Sequence, residues 1–365
     1  MYEILRPILF NLPPEAAHEF ALNSLRIGLG SQTVQNRFAQ SLARSPFGDI
    51  ELLGLKFKNP IGIAAGFDKN GAVTSQLAAL GFGHVEVGTT TYKAQDGNVK
   101  PRLFRLPDDE ALVNRAGFNN EGTRKVVAKL KKNRPNCTLG MNIGKNKDVP
   151  NERAIENYLA SFDLVHEIAD YIVINVSSPN TPNLRELQQS ETLRELLSSL
   201  QNRNIELAAH KNLKKVPLLV KIAPDLNEAE VESIVEIALE LDLGGIVATN
   251  TTISRENLHT TSGEITKIGN GGLSGKPLRE KSTAIIKNIH RLSQGKLVII
   301  GVGGIFTAQD AFDKLAAGAS LVQVYTGFVY QGFTLARDVN DGLQSIYNER
   351  GFGSYYEMIG CDNKI

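Results

Sequence analysis

After residue 50 the chain repeats one unit: a short apolar run, a polar or glycine-rich break, then a longer segment rich in Ala, Leu, Glu and Lys. The runs are Ile61–Ala65, His84–Gly88, Leu139–Gly144, Tyr171–Val176, Leu218–Ile222, Gly245–Ala248, Leu297–Gly301 and Leu321–Tyr325, eight in all. Segments of helical character lie between them over Gly71–Leu80, Thr123–Lys132, Glu152–Ile168, Thr192–Ala209, Glu228–Leu241, Lys281–Arg291 and Ala308–Ala317. Strands that alternate with helices of this length pair in parallel, because the helix carries the chain back to start the next strand in the same direction. Eight such units predict an α/β fold, a closed (β/α)8 TIM-type barrel. The rival is a doubly wound open sheet with a dinucleotide fingerprint. Its nearest text, GVGGIF at 301–306, lacks the final glycine of that motif.

A barrel of this kind works at the C-terminal ends of its strands. The residues there read Gly66-Phe67-Asp68-Lys69-Asn70, Thr89-Thr90-Thr91, Lys145-Asn146, Ser177-Ser178-Pro179-Asn180, Ala223-Pro224-Asp225, Thr249-Asn250-Thr251-Thr252, Gly303-Gly304 and Thr326-Gly327. Amides, hydroxyls, lysines and glycines dominate, with few carboxylates and no histidine. Two polar residues also interrupt the runs, Asn142 in LGMNIG and Lys221 in LVKIAPD. A lysine on a strand buried on both faces needs a partner, and an anionic cofactor edge would supply one. Two connections are long. Residues 89–122 read as a β-hairpin over the barrel mouth, and residues 251–280 hold a glycine-rich turn leading into a helix; long insertions on an active face act as lids or substrate walls.

Composition removes several function classes. Lys and Arg number 40 against 39 Asp and Glu, a formal net charge of +1, so an acidic polymer such as nucleic acid is not an expected partner. Cys137 and Cys361 form no CxxC, and the six histidines show no HxH or HExxH spacing, so neither a disulfide framework nor a metal site is expected. No apolar run approaches the roughly 20 residues of a spanning helix, and the N-terminus lacks the order of charge, apolar core and cleavage site of a secretory signal. Lying on a membrane surface stays open.

GGLSGKP (271–277), GVGGIF (301–306) and VYTGF (324–328) place glycines and hydroxyls after the sixth, seventh and eighth runs. One such cluster is ordinary turn punctuation. Three at the corner where barrels commonly hold phosphate argue for an anion site. A phosphate-bearing cofactor beside a lysine inside the barrel suggests flavin mononucleotide (FMN), with Lys221 facing the edge that gains charge on reduction. A pyridoxal-phosphate lysine is the competing use of the same parts.

The motifs AAGFDKNG (64–71), NRAGFNN (114–120), NIGKNKD (142–148), NVSSPNTPNLREL (175–187), VKIAPD (220–225), ATNTT (248–252), GGLSGKPL (271–278) and IGVGGI (300–305) together resemble dihydroorotate dehydrogenase, in its membrane-associated, quinone-reducing class. The resemblance covers essentially the whole chain. It implies oxidation of (S)-dihydroorotate to orotate in pyrimidine synthesis: a base takes a proton from C5, hydride passes from C6 to the flavin, and a quinone is the final acceptor. It implies FMN contacts at Ala64, Ala65, Gly66, Thr89, Asn142, Asn175, Lys221, Thr249, Gly275, Gly304, Tyr325 and Thr326. It implies dihydroorotate contacts at Lys69, Asn114, Arg115, Ala116, Gly117, Phe118, Asn175, Asn180, Asn250 and Thr251. A planar ureide with a carboxylate suits such a set, because asparagines both donate and accept and Lys69 adds a cation. Ser178 matches the base of the quinone class, where the soluble classes carry cysteine. One departure is GTTTYKAQDGN (88–98), which has no proline near Tyr92 and leaves the shape of that loop open.

At the N-terminus Ile4, Leu5, Ile8, Leu9 and Leu12 form one apolar helical face, Pro13 and Pro14 interrupt it, and Ala17, Phe20, Ala21 and Leu25 continue a second amphipathic stretch. Residues 1–45 are thus expected to form a helical hairpin outside a catalytic barrel of residues 46–365. The resemblance makes the hairpin a membrane-facing quinone entrance, with His18, Arg105 and Tyr325 on the quinone side, on the cytoplasmic face of a bacterial inner membrane. The segment is not strongly basic, so attachment would rest on apolar insertion into the lipid bilayer. Two alternatives stay open: a fumarate- or NAD-linked enzyme of the same family, and a flavin-binding membrane scaffold without turnover.

Overall fold

Each of the eight apolar runs becomes a parallel strand of one closed barrel: Ile61–Ile63, His84–Thr90, Thr138–Ile143, Tyr171–Asn175, Leu218–Ile222, Gly245–Ala248, Val298–Val302 and Leu321–Val324. The computed structural model describes residues 2–212 and 214–363. Met1 and Ile365, the outer limits of the two expected units, lie outside the described residues. Around the barrel the strands follow chain order, and the eighth pairs with the first through Val322–Ile61, Gln323–Gly62 and Val324–Ile63. Such strands are covered by side chains inside and helices outside, which is why they read as continuous apolar runs and not as alternating ones.

The outer helices show the matching 3.6-residue period. Thr123–Lys132 buries Thr123, Val126, Val127 and Leu130, a single stripe, and leaves its lysines to solvent. Two others start in capping boxes, Asn227 with Glu230 and Thr307 with Asp310, so their first N–H groups are satisfied by side chains. The N-terminal end of the barrel carries a small antiparallel hairpin, Ile50–Leu52 with Leu55–Phe57. Phe57 is fully buried there, edge-on to His84 at the start of the second strand.

The two long insertions meet over the mouth. Leu103–Leu106 and Ala111–Asn114 form the expected hairpin, and Gly272–Gly275 from the other insertion pairs antiparallel with its second strand. The resulting three-stranded sheet has its own small core of Leu106, Ala111, Val113 and Leu273. The loop without proline is held by hydrogen bonds: Thr91 Oγ1 donates to the Lys93 carbonyl at 2.7 Å, and the Lys93 N–H donates to Asn146 Oδ1 at 3.0 Å.

The N-terminal segment consists of α1 (Tyr2–Phe10), α2 (Pro14–Gly28) and α3 (Gln32–Leu42). Pro13 and Pro14 separate α1 from α2. The third helix was not foreseen; it packs on the barrel helix Thr74–Ala79 and buries Gln35 and Leu42. Helix α1 is tied to the barrel by Tyr2, whose hydroxyl donates to the Val329 carbonyl at 2.6 Å, and by Arg6, which donates to the Tyr330 carbonyl at 3.2 Å. The outward faces of α1 and α2 leave Ile4, Leu5, Ile8, Phe20 and Ile27 exposed. Among the described residues no helix is long and apolar enough to cross a membrane.

Candidate active site

The strand rims and the covering sheet enclose a cavity of about 330 Å³ at the C-terminal mouth of the barrel. Ala64, Ala65 and Gly66 reach it from the first strand, Thr89 from the second, Asn175 from the fourth and Lys221 from the fifth. Thr249 lines it after the sixth strand, Gly304 after the seventh, Tyr325 and Thr326 after the eighth, and Gly275 from the covering sheet. Lys69, Asn114, Ala116, Gly117, Phe118, Ser178, Asn180, Asn250 and Thr251 share the same space, and His18 enters it from α2.

Three expected residues lie elsewhere. Asn142 sits fully buried beneath the lining and touches the site only through Thr89 and Asn175. Arg115 turns outward, donating to the Ile268 carbonyl at the end of helix Ser262–Ile268 and stacking over Phe104. Arg105 donates to the carbonyls of Leu9, Phe10 and Leu12 at the end of α1, with its guanidinium over the Phe10 ring. Both outward arginines thus satisfy carbonyls that a helix end leaves open, where the helix dipole also favours a cation. The arginine that does line the cavity is Arg102, whose Nε is 2.9 Å from Glu15 Oε1 of α2.

Beneath the cavity the polar groups form one chain. The Glu86 carboxylate, fully buried on the second strand, accepts from Asn142 Nδ2 and from Gln323 Nε2, both at 2.8 Å. Asn142 therefore presents its Oδ1 upward, where it accepts from Thr89 Oγ1 at 2.6 Å and Asn175 Nδ2 at 3.3 Å. Asn175 Oδ1 accepts in turn from the Ser177 N–H at 3.2 Å and from Asn250 Nδ2 at 3.3 Å. Because the Glu86 oxygens accept from both the Asn142 and the Gln323 amide, each amide turns its nitrogen towards Glu86 and its oxygen away. Glu86 and Gln323 lie inside apolar runs and were not singled out from sequence; Gln323 Oε1 is buried without a partner.

Ser178 is 6% exposed, and its Oγ accepts from the Asn180 N–H at 3.2 Å. Among the described residues no histidine or carboxylate is hydrogen bonded to it. His166, the nearest histidine in sequence, caps the end of helix Ala154–Val165, and its Nε2 lies 3.2 Å from Asn204 Oδ1. The Thr181 hydroxyl lies buried and unpartnered in the same turn.

The cations are perturbed mainly by loss of water. Desolvation lowers Lys69 to about 8, the Arg102 charge adds to the effect and Glu15 opposes it; its Nζ donates to Asn119 Oδ1 at 2.6 Å. Desolvation also lowers His18 to about 4, with the Lys69 charge pushing the same way, so the imidazole is neutral near pH 7. Its ring meets Phe67 edge-on at 5.1 Å. Burial lowers Lys221 from the ordinary lysine value, while the charge of Glu86 works against that. Burial raises Tyr325 to about 12, so it remains a phenol.

At the glycine corner Gly275, Gly303 and Gly304 have φ of +105°, +128° and +71°. At Gly304 a Cβ would collide with Arg279, and at Gly275 with the Glu110 carbonyl, so only glycine lets the chain pass this close. Thr326 Oγ1 stands beside them, 2.8 Å from Ser274 Oγ. Among the described residues no group of three or more His, Cys, Asp or Glu is placed to hold a metal ion.

Comparison with known proteins gives one family. Residues 49–347 match the family described as dihydroorotate dehydrogenase. A protein of Christiangramia forsetii named dihydroorotate dehydrogenase (quinone) is 50% identical over 348 residues, covering 94% of this chain and 98% of the relative. One of the same name from Mycobacterium tuberculosis is 44% identical over 362 residues, covering 99% of this chain and 98% of the relative. The crystal structure of DHODH from Eimeria tenella in complex with ferulenol superposes with a TM-score of 0.86 at 38% identity, covering 98% of this chain and 99% of the other. A closed barrel whose mouth carries this serine, these lysines and these asparagines, in a chain so similar to such relatives over nearly its whole length, belongs to the dihydroorotate dehydrogenase family.

Proposed function

We propose that this chain oxidises (S)-dihydroorotate to orotate in pyrimidine biosynthesis, passing two electrons to a quinone through a bound flavin, and that the flavin is FMN. The observation that carries the reading is the meeting of Ser178, Lys69 and Lys221 in one cavity, beside a glycine corner shaped for close backbone approach. A phosphate suits that corner, since positive-φ glycines let the backbone approach an anion closely. The unpartnered Gln323 Oε1 and the buried Lys221 suit the polar edge of a planar ring on the cavity floor.

FMN supplies the acceptor for the hydride that leaves C6 of dihydroorotate. Ser178 Oγ would take the proton that leaves C5 as its own hydroxyl proton passes to solvent. Lys69 holds the substrate carboxylate by a charge-assisted hydrogen bond, and Asn114, Asn180 and Asn250 meet the ureide edges, each amide offering both donor and acceptor. Phe118 and the covering sheet exclude water. Lys221 stands at the floor of the site, where a preorganised cation would stabilise accumulating negative charge, and the Glu86 charge works against the loss of its proton on burial.

Purified protein is expected to be yellow and to bleach on anaerobic addition of dihydroorotate. Colour should return faster with a soluble quinone than with fumarate or NAD, and faster return with fumarate would overturn the choice of acceptor. A colourless protein that cannot be reconstituted with FMN would overturn the choice of flavin.

Residues 1–45 are the membrane-facing, quinone-access segment in this reading, and residues 46–365 the catalytic barrel. Helix α2 supports the assignment by contributing Glu15, His18, Glu19 and Leu22 to the cavity wall. The same segment turns Ile4, Ile8, Phe20 and Ile27 to the outside, so one side faces the site and the other offers an apolar surface to lipid. His18, Tyr325 and Arg102 stand on this side of the cavity as the quinone-side residues. The protein then lies on a membrane without crossing it, on the cytoplasmic face of a bacterial inner membrane. Exposed positions can be changed without disturbing the core, so an Ile4→Glu, Ile8→Glu double variant should keep its activity with a soluble quinone. It should also lose most of its recovery with liposomes in a flotation assay; equal recovery of both proteins would remove the membrane assignment.

A further inference from the structure

Arg185 stands near the end of the NVSSPNTPNLREL motif, and none of the roles above uses it. It lies in the short 3-10 turn Leu184–Gln188, which follows the serine loop. Its three guanidinium nitrogens go to three different strand rims. Nε donates to the Ser177 carbonyl at 3.1 Å, Nη1 pairs with Asp225 Oδ2 at 2.9 Å, and Nη2 donates to the Thr251 carbonyl at 3.0 Å. Ser177 follows the fourth strand and precedes Ser178; Asp225 follows the fifth strand; Thr251 follows the sixth and neighbours Asn250.

Asp225 is itself fixed. Its Oδ1 accepts from the Thr252 hydroxyl and pairs with Lys281 Nζ at 2.9 Å, and its Oδ2 accepts from the Ile253 N–H at 3.1 Å. The side chains of Arg185 and Asp225 are only 23% and 15% exposed, so this is not a solvated surface pair. A planar guanidinium can serve three partners in fixed directions, and a lysine ammonium cannot.

We infer that Arg185 is a positioning residue for the reaction: with Asp225 as its anchored counter-charge, it holds the Ser178 loop and the Asn250–Thr251 rim at a set spacing over the bound substrate. The inference rests on the function proposed above. It follows from the environment of Ser178, which has no imidazole to direct its hydroxyl, so its placement over C5 must come from the backbone. Arg185 grips that backbone one residue away. Misplacement of a reacting group by about 1 Å can cost about 10²-fold in rate.

The test is the rate of anaerobic flavin reduction by dihydroorotate in the holoenzyme carrying Arg185→Ala or Arg185→Lys. Both are expected to slow it by about 10–10²-fold, with kcat changing more than KM, since placement of the base acts after binding. Millimolar guanidinium, and not methylammonium, should restore part of the rate to Arg185→Ala, because only the planar ion can refill the fork. Protease cleavage within residues 179–189 should also quicken in that variant. Arg185→Lys at the wild-type rate would overturn the inference, as would a slow Arg185→Ala that guanidinium helps no more than methylammonium does. Should Arg185→Ala fail to fold, Asp225→Asn keeps both carbonyl bonds and removes the anchor's charge: a rate at least several-fold below wild type supports the inference, and the wild-type rate overturns it. Wild-type protein that does not bleach with dihydroorotate would overturn the proposed function and this inference with it, whereas a bleaching wild type beside an unaffected Arg185→Lys overturns the inference alone.

Discussion

Ser178→Ala is expected to keep its flavin and to bind dihydroorotate, yet to reduce the flavin about 10²–10⁴-fold more slowly, the usual worth of general-base help. The variant removes one oxygen whose hydrogen-bond partner is the Asn180 N–H. Binding should survive because the other polar contacts with substrate come from Lys69 and the asparagines, which the substitution leaves in place. The chain of bonds from Glu86 through Asn142 and Asn175 to Asn250 does not pass through Ser178 either, so the amides keep their orientation. Anaerobic rapid mixing isolates the step, since reoxidation by quinone is then absent. Reduction at the wild-type rate would take Ser178 out of the mechanism.

Lys69→Met should weaken dihydroorotate binding by about 10–100-fold, because a hydrogen bond to a charged group is worth about 1.5–3 kcal/mol. The methionine fills similar space without the charge that meets the carboxylate. Lys69 also predicts a pH dependence whose sign follows from its environment. Desolvation and the nearby Arg102 lower it to about 8 in the free enzyme. Below that pH the ammonium is present and binds the carboxylate; as pH rises through about 8 the charge is lost. The wild-type kcat/KM, which reports the free enzyme, should therefore fall on the alkaline side, and the Lys69→Met profile should lack that limb. His18 adds no competing step near neutrality, since it loses its proton at about 4. A wild-type alkaline limb retained unchanged in Lys69→Met would assign the titration to another group.

Much of the fold was legible because parallel barrel strands are buried on both faces, and the runs Leu218–Ile222 and Gly245–Ala248 coincide with the strands residue for residue. The missed elements carry weak signals. The hairpin of Ile50–Leu52 and Leu55–Phe57 has strands of three residues, too short to show a period. Helix α3, QTVQNRFAQSL, is mostly polar and gains its place by packing on a neighbour. Glu86 had a readable signal. The reasoning that singled out Lys221, a charge inside a doubly buried strand, applies equally to a glutamate in HVEVG.

The site divides along the same line. Strand rims of one barrel necessarily share an end, so a linear reading can place Lys69, Ser178, Lys221 and Asn250 in one cavity. Side-chain direction outside the barrel is another matter. Arg102 and Arg105 are three residues apart, and which of them turns to the cavity depends on where the end of α1 leaves its carbonyls. The order of residues, through its period, was enough to specify the barrel and which residues share its mouth, because both follow from local pattern repeated along the chain. The joining of two insertions into one sheet, the buried carboxylate that orients the amides and the grip of Arg185 on three rims were decided by tertiary structure alone. Each is a pairing of groups far apart in sequence, and such pairings exist only once packing has fixed distance and direction.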